Sequence, residues 1–283
     1  MDFIQNNKLS HLHNNKDIFF CQARQLFSKD QALLESLTNI PNELILITAN
    51  DDTTITDELV KKLPSNVKKW FACNARSLSN KVIGIPLGIE STQPCKVSGH
   101  GMAWPHAIEK PKIIEELNKN PSLPEKDAYA NFSLRTNPER YEVLKICRDL
   151  DWVSSDDCGE NVGPIKHSKH SGRIPYNNFA SKIQHHKMVI SPEGNGTDCH
   201  RTWEALYLNR VPIVKKSNEL NRFSDLPILF IDHWEQLRDK EFILNEYEKV
   251  KNNSKTLLYC NYWINKILKE QQAIRHETTT NNK

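Results

Sequence analysis

Apolar positions along this chain fall into short dense runs separated by polar, helix-like stretches. Residues 17–22 (DIFFCQ), 43–49 (ELILITA), 67–73 (VKKWFAC) and 81–85 (KVIGI) are too short for helices and rich in β-branched or aromatic side chains. They read as strands covered on both faces. Helical segments at 31–37 and 56–63 alternate with them, the second stopped by Pro64. Segment 91–109 then loses all periodicity and reads as a loop lining a cleft or an expanded linker. A short helix at 110–118 and the Asn120-Pro121-Ser122-Leu123-Pro124 stretch mark a boundary.

Beyond that boundary the alternation restarts. A strand is predicted at 128–135, broken by Asn137-Pro138, then a helix at 139–150 with Tyr141, Leu144, Ile146 and Cys147 at helical spacing. A strand at 152–154, an irregular polar stretch at 156–175 and a helix at 176–185 follow. Strands at 188–191, 211–214 and 227–232 come next, with a helix opening at 234–237 and further helices at 241–250 and 256–274. The tail from Glu277 reads as disordered. The pattern predicts an α/β fold with parallel sheets in two units, and no repeat suggests a solenoid.

The most informative unit is 187–217, KMVISPEGNGTDCHRTWEALYLNRVPIVKKS, a strand, a glycine turn, a helix and a strand in succession. Glu193-Gly194-Asn195-Gly196 is turn chemistry, since Gly and Asn tolerate positive φ, and Thr197 or Asp198 is placed to cap the helix. His200 and Arg201 fall in the first helical turn, where the macrodipole disfavours a cation. Phosphate at that helix terminus would reverse the sign, with backbone N–H groups and Arg201 directed at it. Glu204, three residues on, is placed to accept hydrogen bonds from ribose hydroxyls; the plainer alternative is an intrahelical Arg201–Glu204 pair. Ligands of parallel sheets sit at the carboxyl ends of strands, so the loops after Ala49, Ile85, Arg135, Ser191 and Val214 are the ones that would face one.

Composition narrows the classes. Hydrophobic content of 38% with 26% charged residues is that of an ordinary globular chain. The net charge of +3, from 38 basic and 35 acidic residues, gives no concentrated basic face, so no nucleic-acid partner is expected. No stretch approaches the ~20 apolar residues of a transmembrane span. The opening MDFIQNNKLSHLHNNK lacks the apolar core of a signal peptide, so the cytoplasm is the expected compartment. Seven cysteines stand singly without a C-x-x-C pair, against both a disulfide framework and a zinc site. His185-His186 and His11-x-His13 lack flanking carboxylates, and no metal or other cofactor is expected. No G-x-G-x-x-G follows an early strand, against a dinucleotide-dependent dehydrogenase or epimerase.

SPEGNGTDCHRTWEAL, followed by VPIVKK and LPILFID-W, resembles the donor-binding half of exostosin-like glycosyltransferases, which include small bacterial and large-virus members. A viral origin would make the compartment the host cytoplasm. The resemblance is specific over about 130–237 and fainter before it. It implies two Rossmann-like domains facing a cleft, the glycosyltransferase-B type. These would be an acceptor-side domain at 1–120, a nucleotide-sugar domain at 125–255 and a helix at 256–276 crossing back to the first. It implies transfer of a sugar from a nucleotide donor, UDP-linked, to a glycan hydroxyl. Donor-binding candidates are Arg135, Asn137, Ser191, Glu193, Gly194, Asn195, Gly196, Asp198, His200, Arg201, Glu204 and Lys215.

Transfer with inversion needs a general base. Asp52 is the first candidate, in an Asn-x-Asp loop after the best strand of the first half, with Asp51 its immediate competitor and His100 and His106 next. Carboxylates there are also routine turn chemistry, and a retaining transfer needs no such base. The helix dipole and Arg201 would carry the leaving group's charge without a metal. Asp149-Leu150-Asp151 matches the D-x-D of metal-dependent transferases, but at a helix-to-strand turn, and is set aside. A nucleotide- or carbohydrate-binding protein without turnover is the alternative from another class.

Overall fold

The computed structural model describes residues 1–14, 16–92, 105–156 and 174–281. Its first half comprises α1 (Asn6–Leu9), β1 (Ile18–Cys21), α2 (Ala23–Leu26), α3 (Ala32–Thr38), β2 (Leu44–Thr48), α4 (Asp57–Lys61), β3 (Val67–Ala72) and β4 (Val82–Gly84). Helix α5 (Pro105–Lys119) leads to the second half. That half comprises β5 (Lys126–Ala130), α6 (Glu139–Arg148), β6 (Val153–Ser155), α7 (Tyr176–Gln184), β7 (His186–Ile190), α8 (His200–Tyr207), β8 (Val211–Lys215), β9 (Leu229–Ile231) and α9 (Lys240–Val250), and α10 (Cys260–Asn281) closes the chain.

Two all-parallel sheets result, ordered β1-β2-β3-β4 and β6-β5-β7-β8-β9. Both faces of each are covered, and the strand period of two sorts side chains between layers. Ile45 and Ile47 of β2 face one apolar cluster while Leu44 and Leu46 face another. In the second sheet Val189 and Val214 point inward while Met188, Ile190 and Ile213 point outward. The inner faces of both sheets meet in one contiguous core that also holds Phe3, Trp203, Tyr207, Leu258, Trp263 and Ile267. Helix α10 lies against β2 and β3. Its start is fixed by Cys260 N donating to Asp2 O at 3.2 Å, and Arg275 donates to Asp17 Oδ2 through Nε at 2.7 Å.

Several boundaries differ from the sequence reading, each for a local reason. The strand expected at 128–135 ends at Ala130. Beyond it Phe132 and Leu134 turn into the outer core, and the carbonyl of Ser133 is taken by Arg140 Nη1 at 2.8 Å. The helix expected at 110–118 spans 105–119, with Pro105 at its first position, where a missing N–H costs nothing. On α6 the buried stripe is Arg140, Val143, Leu144, Ile146 and Cys147, whereas Tyr141 is exposed. Residues 234–238 form a 3-10 turn before α9, and the segment expected as one helix from 256 is a 3-10 turn at 256–258 followed by α10. The tail expected to be disordered from Glu277 is helical through Asn281. Most of 91–109 and 156–175, including His100, lies outside the described residues; His106 falls within α5.

Candidate functional site

In the second sheet the chain passes from β5 to β6 on one side and then to β7 on the other. Strand order reverses between β5 and β7, and the crevice outside their carboxyl ends is where such sheets bind ligands. The two loops opening there are 131–138 after β5 and 191–199 after β7, so Arg135 and Asn137 share one crevice with the glycine turn. The D-x-D stretch lies at the α6–β6 turn, the amino end of the sheet, where Asp149 Oδ2 pairs with Arg238 at 3.2 Å.

Arg140 holds the two loops together. Nearly buried on α6, it donates from Nε to Glu193 O at 2.6 Å, from Nη1 to Ser133 O at 2.8 Å and from Nη2 to Pro192 O at 3.0 Å. Asn137 Nδ2 reaches Gly194 O at 3.4 Å, and its Oδ1 accepts from Glu139 N at 3.0 Å. Lys215, at the end of β8, pairs with Glu139, closing the far side of the turn. Arg201 donates from Nε to Asn131 O at 2.8 Å, its guanidinium 5.5 Å from the centre of the Phe132 ring. Burial raises the Glu193 carboxyl above its usual range, and Glu139 and Glu219 add to this against Lys215 and Arg76.

The glycines of the turn serve a different end from the one expected. Neither Gly194 nor Gly196, nor Asn195, takes a left-handed φ. A Cβ on Gly196 would stand 2.8 Å from Asn74 Oδ1, and one on Gly194 3.1 Å from Arg140 Nη2, so a side chain would displace Asn74 at the first and crowd Arg140 at the second. The helix cap also differs: Cys199 is the N-cap residue, with no side-chain cap bond. Asp198 instead turns away, accepting from Leu87 N on Oδ2 and from Trp203 Nε1 on Oδ1, each at 2.7 Å. Ser191 is buried, its hydroxyl 2.9 Å from Thr202 Oγ1.

A second set of contacts stitches α8 to residues 87–90 of the first half. His200 Nδ1 donates to Gly88 O at 2.7 Å. Glu204, almost fully buried, accepts from Lys110 Nζ at 2.6 Å, and the same ammonium donates to both oxygens of Glu90 at 2.5 and 2.6 Å. Burial alone would lower the Lys110 ammonium, but Glu204 and Glu90 outweigh it and raise it. Burial would likewise raise the Glu90 carboxyl, but the charges of His200 and Lys110 hold it down at about 2. Asp198 moves the other way: burial pushes it up to about 6 against the bonds from Leu87 N and Trp203 Nε1.

The candidate bases stand close to this turn through one asparagine. Asn74, held at φ 51°, accepts from Asp198 N on Oδ1 at 3.1 Å and donates from Nδ2 to Asp51 O at 3.3 Å. Asp51 is engaged as turn chemistry, accepting from Arg24 N at 3.1 Å and Thr53 N at 2.7 Å. Asp52 is exposed at the same loop. Sequence reasoning missed Arg140, Asn74 and Lys110. Arg140 did leave a signal, since it sits on the apolar stripe of α6 and in its first turn, where a cation opposes the dipole. Asn74 and Lys110 leave none.

Among the described residues no group of three or more His, Cys, Asp or Glu side chains could hold a metal ion, and no helix is long and apolar enough to cross a membrane. No protein-family model and no curated protein sequence matches the chain. Among solved structures it is similar to the alpha,alpha-trehalose 6-phosphate synthase of Burkholderia multivorans, with a TM-score of 0.51 at 8% sequence identity. The match covers 98% of this chain and 74% of that one. With its two parallel sheets and the crevice at the β5/β7 reversal, the chain has a glycosyltransferase-B fold, two Rossmann-like halves facing a cleft.

Proposed function

We propose that the protein is a glycosyltransferase of the exostosin-like kind, moving a sugar from a UDP-linked donor to a hydroxyl of a glycan acceptor without a metal. The observation that carries this reading is the glycine turn and α8 amino end lying at the strand-order reversal, braced by the buried Arg140 against the loop after β5. Backbone N–H groups there, with Arg201 and Lys215, meet the diphosphate and stabilise its charge as it leaves. Glu204 accepts from the ribose, Lys110 yielding part of its contact as the donor enters. Asp52 takes the proton of the acceptor hydroxyl in an inverting transfer. One observation favours a binding protein without turnover: Asp51, the neighbouring carboxylate, accepts on each oxygen from a backbone N–H of its own half.

The test is a panel of nucleotide sugars assayed for hydrolysis and transfer with and without EDTA, alongside calorimetric titration of UDP and GDP into the wild type and Arg201→Ala. Turnover of a UDP-sugar that survives EDTA, with UDP affinity weakened about tenfold in the variant, is the expected result. A wild type that binds neither nucleotide overturns the reading.

A further inference from the structure

The glycine turn is also touched from the opposite half of the molecule. Between β3 and β4 the chain runs through 73–81 without a helix, and this short connection lies against the turn. Asn74 fills the space beside Gly196. Two residues on, Arg76 donates from Nε to Glu219 Oε1 at 2.8 Å and from Nη2 to Thr197 Oγ1 at 3.4 Å. Thr197 Oγ1 itself donates to the same Glu219 oxygen at 3.2 Å.

The two partners of this ion pair differ in exposure. The Glu219 side chain is 2% exposed and that of Arg76 is 53% exposed. Glu219 Oε2 is buried without a hydrogen-bond partner. A carboxylate removed from water and left with one unsatisfied oxygen is an expensive feature to retain in the interior. Here it fixes the Nε edge of a guanidinium that would otherwise sweep freely through solvent. Among the described residues Nη1 of Arg76 makes no hydrogen bond, so one donor edge of the guanidinium stays open beside the turn. Arg76 also acts electrostatically on Glu193, at the start of the turn, lowering a carboxyl that burial raises.

We infer that Arg76 is a diphosphate contact supplied by the first half, so that the donor site is built from both halves of the molecule. Glu219 and Thr197 position the guanidinium at the glycine turn, and its open edge offers paired donors to phosphate oxygens, the geometry for which arginine is suited over lysine. The inference rests on the nucleotide-donor reading, adding to it a group from the acceptor side. Diphosphate binding thereby draws on a residue of each half, Arg76 from the first and the glycine turn from the second.

The experiment is calorimetric titration of UDP, UMP and inorganic pyrophosphate into the wild type, Arg76→Ala, Arg76→Lys and the double variant Arg76→Ala/Glu219→Ala. The double variant removes the buried carboxylate with its partner, so that a folding defect in the single variant does not obscure the result. Arg76→Ala and the double variant are expected to weaken UDP and pyrophosphate by about tenfold or more and UMP by much less, with Arg76→Lys between. UDP affinity unchanged in folded Arg76→Ala or in the double variant, while the wild type binds UDP, overturns this inference and leaves the nucleotide site standing. A wild type that binds none of the three overturns both.

Discussion

The glycine turn and α8 have two flanks that look alike in sequence and differ in kind. On one flank Asp198, His200 and Glu204 are bonded across the seam to Leu87 N, Gly88 O and Lys110, and the polar atoms that matter are buried. On the other, Glu193, Asn195, Asn137 and Lys215 are half-buried or exposed, and the hydrogen bonds and ion pair that Glu193, Asn137 and Lys215 make between segments are with the second half. Asp198 and Glu204, six positions apart, both lie on the stitched flank, whereas Asn195, three before Asp198, is exposed. A motif that suggests a single ligand cradle therefore divides into a structural seam and an open flank, the one proposed to hold the donor. Glu204 stands at the join, with a carboxylate that the seam uses and the ribose would share.

The comparison breaks most sharply at Lys110. Lys110→Met leaves Glu90 and Glu204 buried together without their cation, and a destabilisation of about 3–5 kcal/mol is expected in chemical denaturation. A loss below about 1 kcal/mol would place these carboxylates in effective contact with water, and the seam would then be no tighter than a surface ion pair.

A smaller effect separates the two seam carboxylates by pH. Glu90 is held down at about 2 from its ordinary 4.5, so it contributes stability that is present above 4.5 and lost as pH falls through 2. Asp198 is pushed up to about 6 from 3.8, so its contribution is present below 3.8 and lost as pH rises through 6. Denaturation curves collected between about pH 2 and pH 7 should therefore show an acid limb that flattens in Glu90→Gln, while the fall toward pH 6 persists. An acid limb unaltered by the substitution would assign it to other carboxylates.

The smallest change in stability is expected on the open side of the cleft. Asp52→Asn at an exposed loop should alter stability by no more than about 0.5 kcal/mol. If Asp52 is the base, transfer falls by about a hundredfold or more with nucleotide affinity intact. Turnover equal to wild type would remove Asp52 from catalysis.

Both parallel sheets and nearly every strand were legible in the sequence because fully buried strands such as Leu44–Thr48 write themselves as unbroken apolar runs. Helix ends were less so. The cap at Cys199 follows from tertiary contacts, since Asp198, the better capping residue, is drawn off by Leu87 N and Trp203. The glycine turn was legible as a turn after β7, but the reason for its glycines was not. Local chemistry pointed to backbone conformation, while the actual constraint is the nearness of Asn74 and Arg140, whose distance in sequence from Gly196 and Gly194 carries no local signal. Lys110 was invisible for the same reason, as one lysine among many until a fold sets two glutamates around it.

The meeting of Phe3 with Tyr259, and of Asp2 with Cys260 and Asn261, bears on how the molecule is made. Residues 3–10 are almost wholly buried, and Ile4 N depends on Tyr207 Oη, which in turn donates to Leu258 O. The contact from Ile4 N to Tyr207 Oη spans 203 positions of the chain, so it closes a long loop and forms late in folding. Trp263, Ile267 and Ile274 of α10 lie in the core that covers the inner face of the first sheet, so that face stays open to water until the helix has docked. The two halves and α10 therefore share one core, and the contacts that complete the first half are distant in sequence.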